Sequence, residues 1–480
     1  MSNPDTPLIK NEPLYRDSNA PEENILETPV INPETETIES ENSKRSLISR
    51  IFGKITPGSV RGSIFNLSIL SIGIGCLALP QRIGQISLIL SPFIICIAGI
   101  ANLWTLLLLS QMASKYKIQI YSELVEKLCG KKLSKFLDGT IIVNVFGILI
   151  LFQVIIYKLL GGIINDIGGL GYASIDDFLH NSFWKEKFYK FVVNYGITIV
   201  VIIPLCLLKD VSKMRFTSMF GILSMFSMIF IVVFQSPFYI KHYFNNVYKK
   251  DDPSTHLNIF DIKKGFTSDM YFFKTCAALF YSYTCHIGAF PVIKSLYNNV
   301  QRRVNKVFRR AILLDFVAYI IIGVSGYFTQ PIGTPDLIVE RQNIFNSDWI
   351  MVIGRIAVLL AIITKISVNY NALRVSFFTL LGYTKDYPNW INFVLTVVIL
   401  LLTTLVCALY QSITDYISLI GSFCSVLIAF FFPGLVYLKG SERSLLHYKS
   451  ILTIIGISVL CLIGFVSGFF TIKGIIDKNK

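Results

Sequence analysis

Charged side chains are scarce in this chain: acids and bases together make up 15% of 480 residues, against 53% hydrophobic residues. A soluble protein of that length is excluded by such a balance, and a membrane-embedded one is not. No P-loop, metal-ligand spacing or assembled nucleophile motif is present, so no enzyme class, cofactor or metal is expected. A secretory signal, which needs a basic start and an apolar core, is missing from the N-terminus. The long loops on the less basic side lack a cysteine pair and an Asn-x-Ser/Thr acceptor, so no structural disulfide is expected there.

What the chain has in abundance is long apolar runs. The stretches near 60–80, 86–112, 138–162, 192–208, 216–239, 271–291, 311–329, 350–373, 390–409, 415–437 and 450–472 each come close to or exceed the ~20 residues that cross a bilayer. The fold class is therefore all-α, a polytopic membrane protein of about eleven transmembrane helices. Residues 1–57 read as an acidic, disordered tail, with ten acids and six prolines in residues 1–43. Residues 58–473 form the transmembrane domain, and 474–480 a short C-terminal tail.

The net charge of +14 does not indicate nucleic acid, because its distribution follows the helices. Loop 113–136 carries Lys115, Lys117, Lys127, Lys131, Lys132 and Lys135, and loop 292–310 carries six bases and no acid. Loop 330–349 has Arg341 alone against Asp336, Glu340 and Asp348. This alternation puts the N-terminus in the cytosol.

Two stretches weaken their own helices. Gly73, Gly75 and Pro80 in the first span, and Gly288 and Pro291 in the sixth, mark interruptions, since glycine costs about 1 and proline about 3 kcal/mol in a helix interior. Broken helices at membrane depth are tolerated where the freed backbone is buried in protein or lines a watery cavity. Paired breaks near the start of each half of the hydrophobic region suggest a solute site, with unwound amides able to face an anion. The plainer alternative is close helix packing through small residues.

Other polar groups in the spans have two readings each. Gln153 and Asn144 can hydrogen-bond between helices or face a cavity, and Lys158 can snorkel to the interface. His286, the one histidine inside a span, is either a hydrogen-bonded structural group or a proton-exchanging one. In the eighth span Arg355 and Arg374 reach the two interfaces, whereas Lys365 sits at mid-bilayer and needs a partner. Asp315 and Asp415 fall nearer opposite faces, which leaves carbonyls of an interrupted helix as the simplest one.

The run GSVRGSIFNLSILSIGIGCLALP resembles the opening helix of the amino acid/auxin permease family, with its G-S-x6-N-L and G-x-G-x-L-x-L-P motifs. The run FYSYTCHIGAFPVIKSLYNN is similar to that family's F-x-F-x-C-H-x4-P-I-x-x-E-L. The resemblance implies a five-plus-five inverted repeat with an eleventh helix added, and transport of amino acids by alternating access. It implies that the substrate carboxylate meets amides around Ser71, Gly73, Ile74 and Gly75. The substrate ammonium would meet carbonyls from Tyr281, Ser282, Tyr283 and Thr284.

Sodium-coupled relatives carry an asparagine where this chain has Ile69 and a threonine near Thr364 or Lys365. Isoleucine cannot ligate sodium and an ammonium would occupy the site, so proton coupling or facilitated transport is expected, with Lys365, Thr364 and His286 as the coupling candidates. The family's sixth-helix glutamate is replaced by Ser295. The expected partners are an amino acid, protons and the lipid of a plasma or vacuolar/lysosomal membrane, with the protein a monomer. The rival reading is an amino acid-sensing receptor that signals through its cytosolic tail.

Overall fold

The computed structural model describes residues 58–168, 191–207, 214–246, 270–297, 299–331, 333–341, 348–382, 388–442, 444 and 446–478. The acidic tail expected over 1–57 lies outside the described residues. All regular elements among the described residues are helices.

The first span is broken. Ser59 caps α1 (Val60–Ser71), its hydroxyl accepting from the Gly62 amide at 3.2 Å. Ile72 (φ −69°, ψ 85°) and Gly73 (φ −123°, ψ −150°) then leave the helical region, and the chain resumes as α2 (Ile74–Leu77) and α3 (Leu79–Ile86). Of the three expected interrupters only Gly73 lies at the break. Pro80 sits in the first turn of α3, where its missing N–H has no intrahelical partner to lose.

After α3 come α4 (Leu90–Tyr116), α5 (Tyr121–Cys129), α6 (Lys131–Gly168), α7 (Phe191–Leu207) and α8 (Met214–Asn246). The short α5 lies within a stretch expected to be loop. The sixth span is α9 (Tyr271–Tyr283) and α10 (His286–Ser295), separated by the non-helical Thr284 and Cys285. Gly288 and Pro291, expected to interrupt it, lie inside α10 instead. The break falls earlier because the Thr284 hydroxyl donates back to the Phe280 carbonyl at 2.5 Å, a local bond that competes with helix continuation. Gly288 serves an approach: a Cβ there would overlap the Leu70 side chain of α1.

The chain continues through α11 (Gln301–Thr329), α12 (Trp349–Leu380), α13 (Asn389–Leu409), α14 (Ile413–Gly440) and α15 (Tyr448–Lys478). α14 contains two π-helical turns, and at the first of them Gly421 lies so close to the Ala277 carbonyl of α9 that no Cβ would fit. α15 runs beyond 473, so the expected C-terminal tail is mostly helix. Among the described residues, nine helical stretches are long and apolar enough to cross a membrane, and α7 is a shorter apolar helix. With the broken α1–α3 unit they occupy the stretches the sequence marks as spans.

The outside of the bundle is apolar, as a lipid-facing surface must be. Phe93, Ile97 and Ile100 of α4 and Leu452, Ile455, Val459 and Leu462 of α15 are all exposed. Inside, α11 packs against α1, α2, α3, α4 and α8, and α12 packs against α6 and α8. The two breaks are therefore enclosed, with Ile72, Ile74, Ser71, Ser282 and Tyr283 all buried. All nine cysteines are free.

Candidate substrate site at the paired helix breaks

A helix that stops at mid-membrane leaves its last carbonyls and the next segment's first amides without helical partners. At the α1 break the last carbonyls are taken by two neighbouring helices. Tyr319 of α11 points its hydroxyl at the Ser71 carbonyl (2.9 Å), and Lys365 of α12 donates to the Ile72 carbonyl (3.4 Å). Lys365 thus has the backbone partner expected of it. Tyr319 also reaches the Ser282 carbonyl of α9 at 2.7 Å, so one phenol proton is shared between the two broken helices. The Tyr283 ring packs edge-on to that of Tyr319, centroids 4.8 Å apart.

On the amide side, no hydrogen bond among the described residues engages the N–H of Gly73, Ile74 or Gly75. Space differs between the two glycines. A Cβ at Gly73 would meet only the Ser71 carbonyl at 3.8 Å, whereas one at Gly75 would overlap the Ser282 side chain. Gly75 is thus a packing point between α2 and α9, and Gly73 borders open space. On α9, the Ser282 hydroxyl donates to the Ala278 carbonyl (2.8 Å) and the Tyr281 carbonyl accepts from the Thr284 amide (3.1 Å). Of the four carbonyls from Tyr281 to Thr284, those of Tyr283 and Thr284 accept no hydrogen bond among the described residues.

The sequence-based candidates do not all converge. Ser71, Gly73, Ile74, Gly75, Ser282, Tyr283 and Lys365 gather at the breaks. The Thr364 hydroxyl turns to the Ala361 carbonyl of its own helix at 2.8 Å. His286 is fully buried, its Nε2 3.0 Å from Thr105 Oγ1 of α4. The Thr105 hydroxyl also reaches the Ala101 and Asn102 carbonyls at 3.2 and 3.1 Å, so its one hydrogen can go to them or to Nε2, according to the tautomer.

Asp315 corrects the sequence reading. Rather than lying toward one face, its carboxylate accepts the Ser71 hydroxyl at the α1 break, and the residue is wholly buried. Asp315 and Tyr319 are four residues apart, one turn along the same face of α11. The signal that could have found them is that i, i+4 pair of polar groups inside the apolar run AILLDFVAYIII.

At the far end from the basic loops, Lys158, Asp336, Glu340, Arg341, Asp348 and Arg355 make contacts separate from the breaks. Lys158 pairs with Glu340 (3.2 Å) and Asp336 (3.8 Å) rather than snorkelling, and Gln81 donates to Asp336 at 2.6 Å. Arg341 lies over the Tyr239 ring and faces Asp348 at 3.7 Å. Arg355 and Arg374, expected at the interfaces, are buried and bonded inward. Arg355 donates to the Val339 carbonyl at 2.8 Å, and Arg374 bonds Asn371. Gln153 bonds Thr404 of α13 at 3.1 Å, an interhelical contact as anticipated.

Two helices broken at one level, their termini joined by side chains from neighbouring helices inside an apolar-surfaced bundle, define an integral membrane transporter rather than an enzyme. The chain belongs to the family described as transmembrane amino acid transporter protein, which matches residues 56–476. It is 24% identical over 421 residues to sodium-coupled neutral amino acid symporter 2 of Danio rerio, a match covering 85% of this chain and 81% of that one. It is also 24% identical over 386 residues to vacuolar amino acid transporter 5 of Schizosaccharomyces pombe, covering 79% and 84%. Its fold is similar to that of MhsT solved in complex with L-phenylalanine, with a TM-score of 0.54, 15% identity, and 87% of this chain and all of that one covered.

Proposed function

We propose that this amino acid transporter binds its substrate between the two breaks and carries it by alternating access, coupled to protons or facilitative, and without sodium. The substrate carboxylate would meet the Gly73, Ile74 and Gly75 amides beside Ser71 and the Lys365 ammonium. Its ammonium would meet carbonyls of the Tyr281–Thr284 segment, with those of Tyr283 and Thr284 best placed. The observation that carries this reading is the Lys365 bond to the Ile72 carbonyl. A fixed ammonium on that carbonyl does what a bound cation would do, and Ile69 offers no ligand in its stead. The relative from Danio rerio is named as sodium-coupled, so on this reading the present chain differs from it in coupling. Thr364, bonded within its own helix, and His286, bonded to Thr105 of α4, would support the site rather than carry the ion. The basic-loop face and the N-terminus would be cytosolic, in a plasma or vacuolar/lysosomal membrane, with the monomer as the working unit.

The test is uptake of a panel of labelled amino acids by the purified chain in proteoliposomes, with sodium and pH gradients imposed separately. Uptake of at least one amino acid, indifferent to sodium, is expected. Uptake that requires sodium and saturates with it overturns the coupling assignment. Gly73→Val, whose Cβ would meet only the Ser71 carbonyl at 3.8 Å, should insert normally and lose transport; normal uptake by that variant removes the amides from the site.

A further inference from the structure

We propose that Asp315 is a proton-binding site that couples substrate occupancy of the breaks to pH, by reversing its hydrogen bond with Ser71. The proposal rests on the reading that the substrate carboxylate sits at the Gly73–Gly75 amides. Asp315 is buried to 0% exposure, and no ion pair among the described residues involves it. One carboxylate oxygen, Oδ2, accepts the Ser71 hydroxyl. The Ser68 hydroxyl, on the Ala311 carbonyl at 3.3 Å, is a second donor close by, and Oδ1 is buried without a hydrogen-bond partner. A buried carboxylate half-satisfied in this way is costly in its ionised form and close to satisfied once it carries a proton of its own.

Ser71 makes both states possible. Its hydroxyl has one hydrogen and three acceptors within reach: Asp315, the Ser68 carbonyl at 3.2 Å and the Leu67 carbonyl at 3.4 Å. With Asp315 ionised, the hydrogen goes to the carboxylate. With Asp315 protonated, the acid donates to Ser71 Oγ and the serine hydrogen turns back to the α1 carbonyls. The proton comes from solution and is returned to it, with no other bond made or broken.

The charges around the pair set the direction of coupling. On α11 itself, the Tyr319 hydrogen is held by the Ser71 and Ser282 carbonyls. Cys76 of α2, Tyr283 of α9 and Cys285 beyond it lie within electrostatic reach and are thiols and phenols, which keep their protons near neutral pH. On the remaining neighbours of α11, Arg82 of α3 is bonded to Thr414 and Ser418 of α14, Cys96 of α4 is a further thiol, and Lys241 and His242 lie near the far end of α8. Arg61 opens α1, and Arg309 and Arg310 lie more than a turn away on α11 toward the basic loops. No cation among these pairs with Asp315; Lys365 donates to the Ile72 carbonyl, next to the Ser71 that donates to Asp315. An incoming carboxylate adds a second negative charge in a low-dielectric setting, and a proton on Asp315 offsets it. Substrate and proton therefore favour each other's binding, reciprocally.

The experiment compares wild type and Asp315→Asn in proteoliposomes, measuring counterflow exchange of labelled amino acids and uptake driven by an inward proton gradient. Wild-type uptake should rise several-fold with the gradient, and in the variant that ratio should fall to near one while exchange remains measurable. A variant that keeps the wild-type ratio overturns the proposal. Wild-type exchange with no gradient response also overturns it but leaves the amino acid site standing, whereas normal transport by Gly73→Val strikes the site itself. Should Asp315→Asn not fold, Ser71→Ala decides. Losing the donor to the carboxylate should move the midpoint of the pH–uptake profile up by about one unit, and an unmoved midpoint overturns the proposal.

Discussion

A single phenol oxygen carries much of the order at the centre of this protein. Tyr319 satisfies the Ser71 and Ser282 carbonyls together, so Tyr319→Phe would strand two buried acceptors while preserving the ring packing on Tyr283. The expected cost is about 1–3 kcal/mol, read as a lower melting temperature of the detergent-solubilised protein together with reduced uptake. A variant that melts like wild type would mean that the carbonyls find other donors. The polar pair Asp315 and Tyr319 stands out in its apolar run, but what the two residues bond depends on which way α11 is turned, and that is not legible in the sequence. Lys365 was different: an ammonium at mid-membrane demands a partner whatever the orientation, and a carbonyl of the broken helix is the one it has.

At the scale of the element, the existence of both breaks was legible and their positions were not. Glycine and proline counts locate a weak helix, but the chain opens where side chains compete for backbone carbonyls, as Thr284 does, or where packing requires it. Gly288 and Pro291 remain helical because α10 needs Leu70 against it more than it needs an interruption there. Gly75 has the same role toward Ser282. Gly75→Ala should therefore destabilise the α2–α9 contact, and since the overlapped atoms are mainly the Ser282 hydroxyl and Cβ, Gly75→Ala with Ser282→Gly should recover much of the loss. Equal melting temperatures for the single and double variants would contradict this account.

For the whole molecule, the spans were legible because bilayer crossing needs only length and apolarity, while the far-end network was hidden in a loop whose partners are remote in sequence. Glu340 shows what that network costs. Burial holds its carboxyl above the usual range, with Lys158 opposing the effect. A carboxyl raised in the folded state stabilises at acidic pH, and that stabilisation fades as pH rises through its folded value. The melting temperature of wild type minus that of Glu340→Gln should therefore decrease from acidic to neutral pH. A difference that grows with pH would show the Lys158 pair to dominate.

At the opposite end, the Tyr297 amide donates to the Gly58 carbonyl at 2.9 Å, and Gly58 holds φ +73° with Ser295 and Tyr297 backbone crowding the place of a Cβ. This clasp joins the first residues before α1 to the last after α10. Mechanically, the basic-face halves of the two broken helices are harnessed like a pair of oars on one pin. Any displacement of one draws the other with it or releases a backbone bond, so force applied at either helix is felt at both breaks.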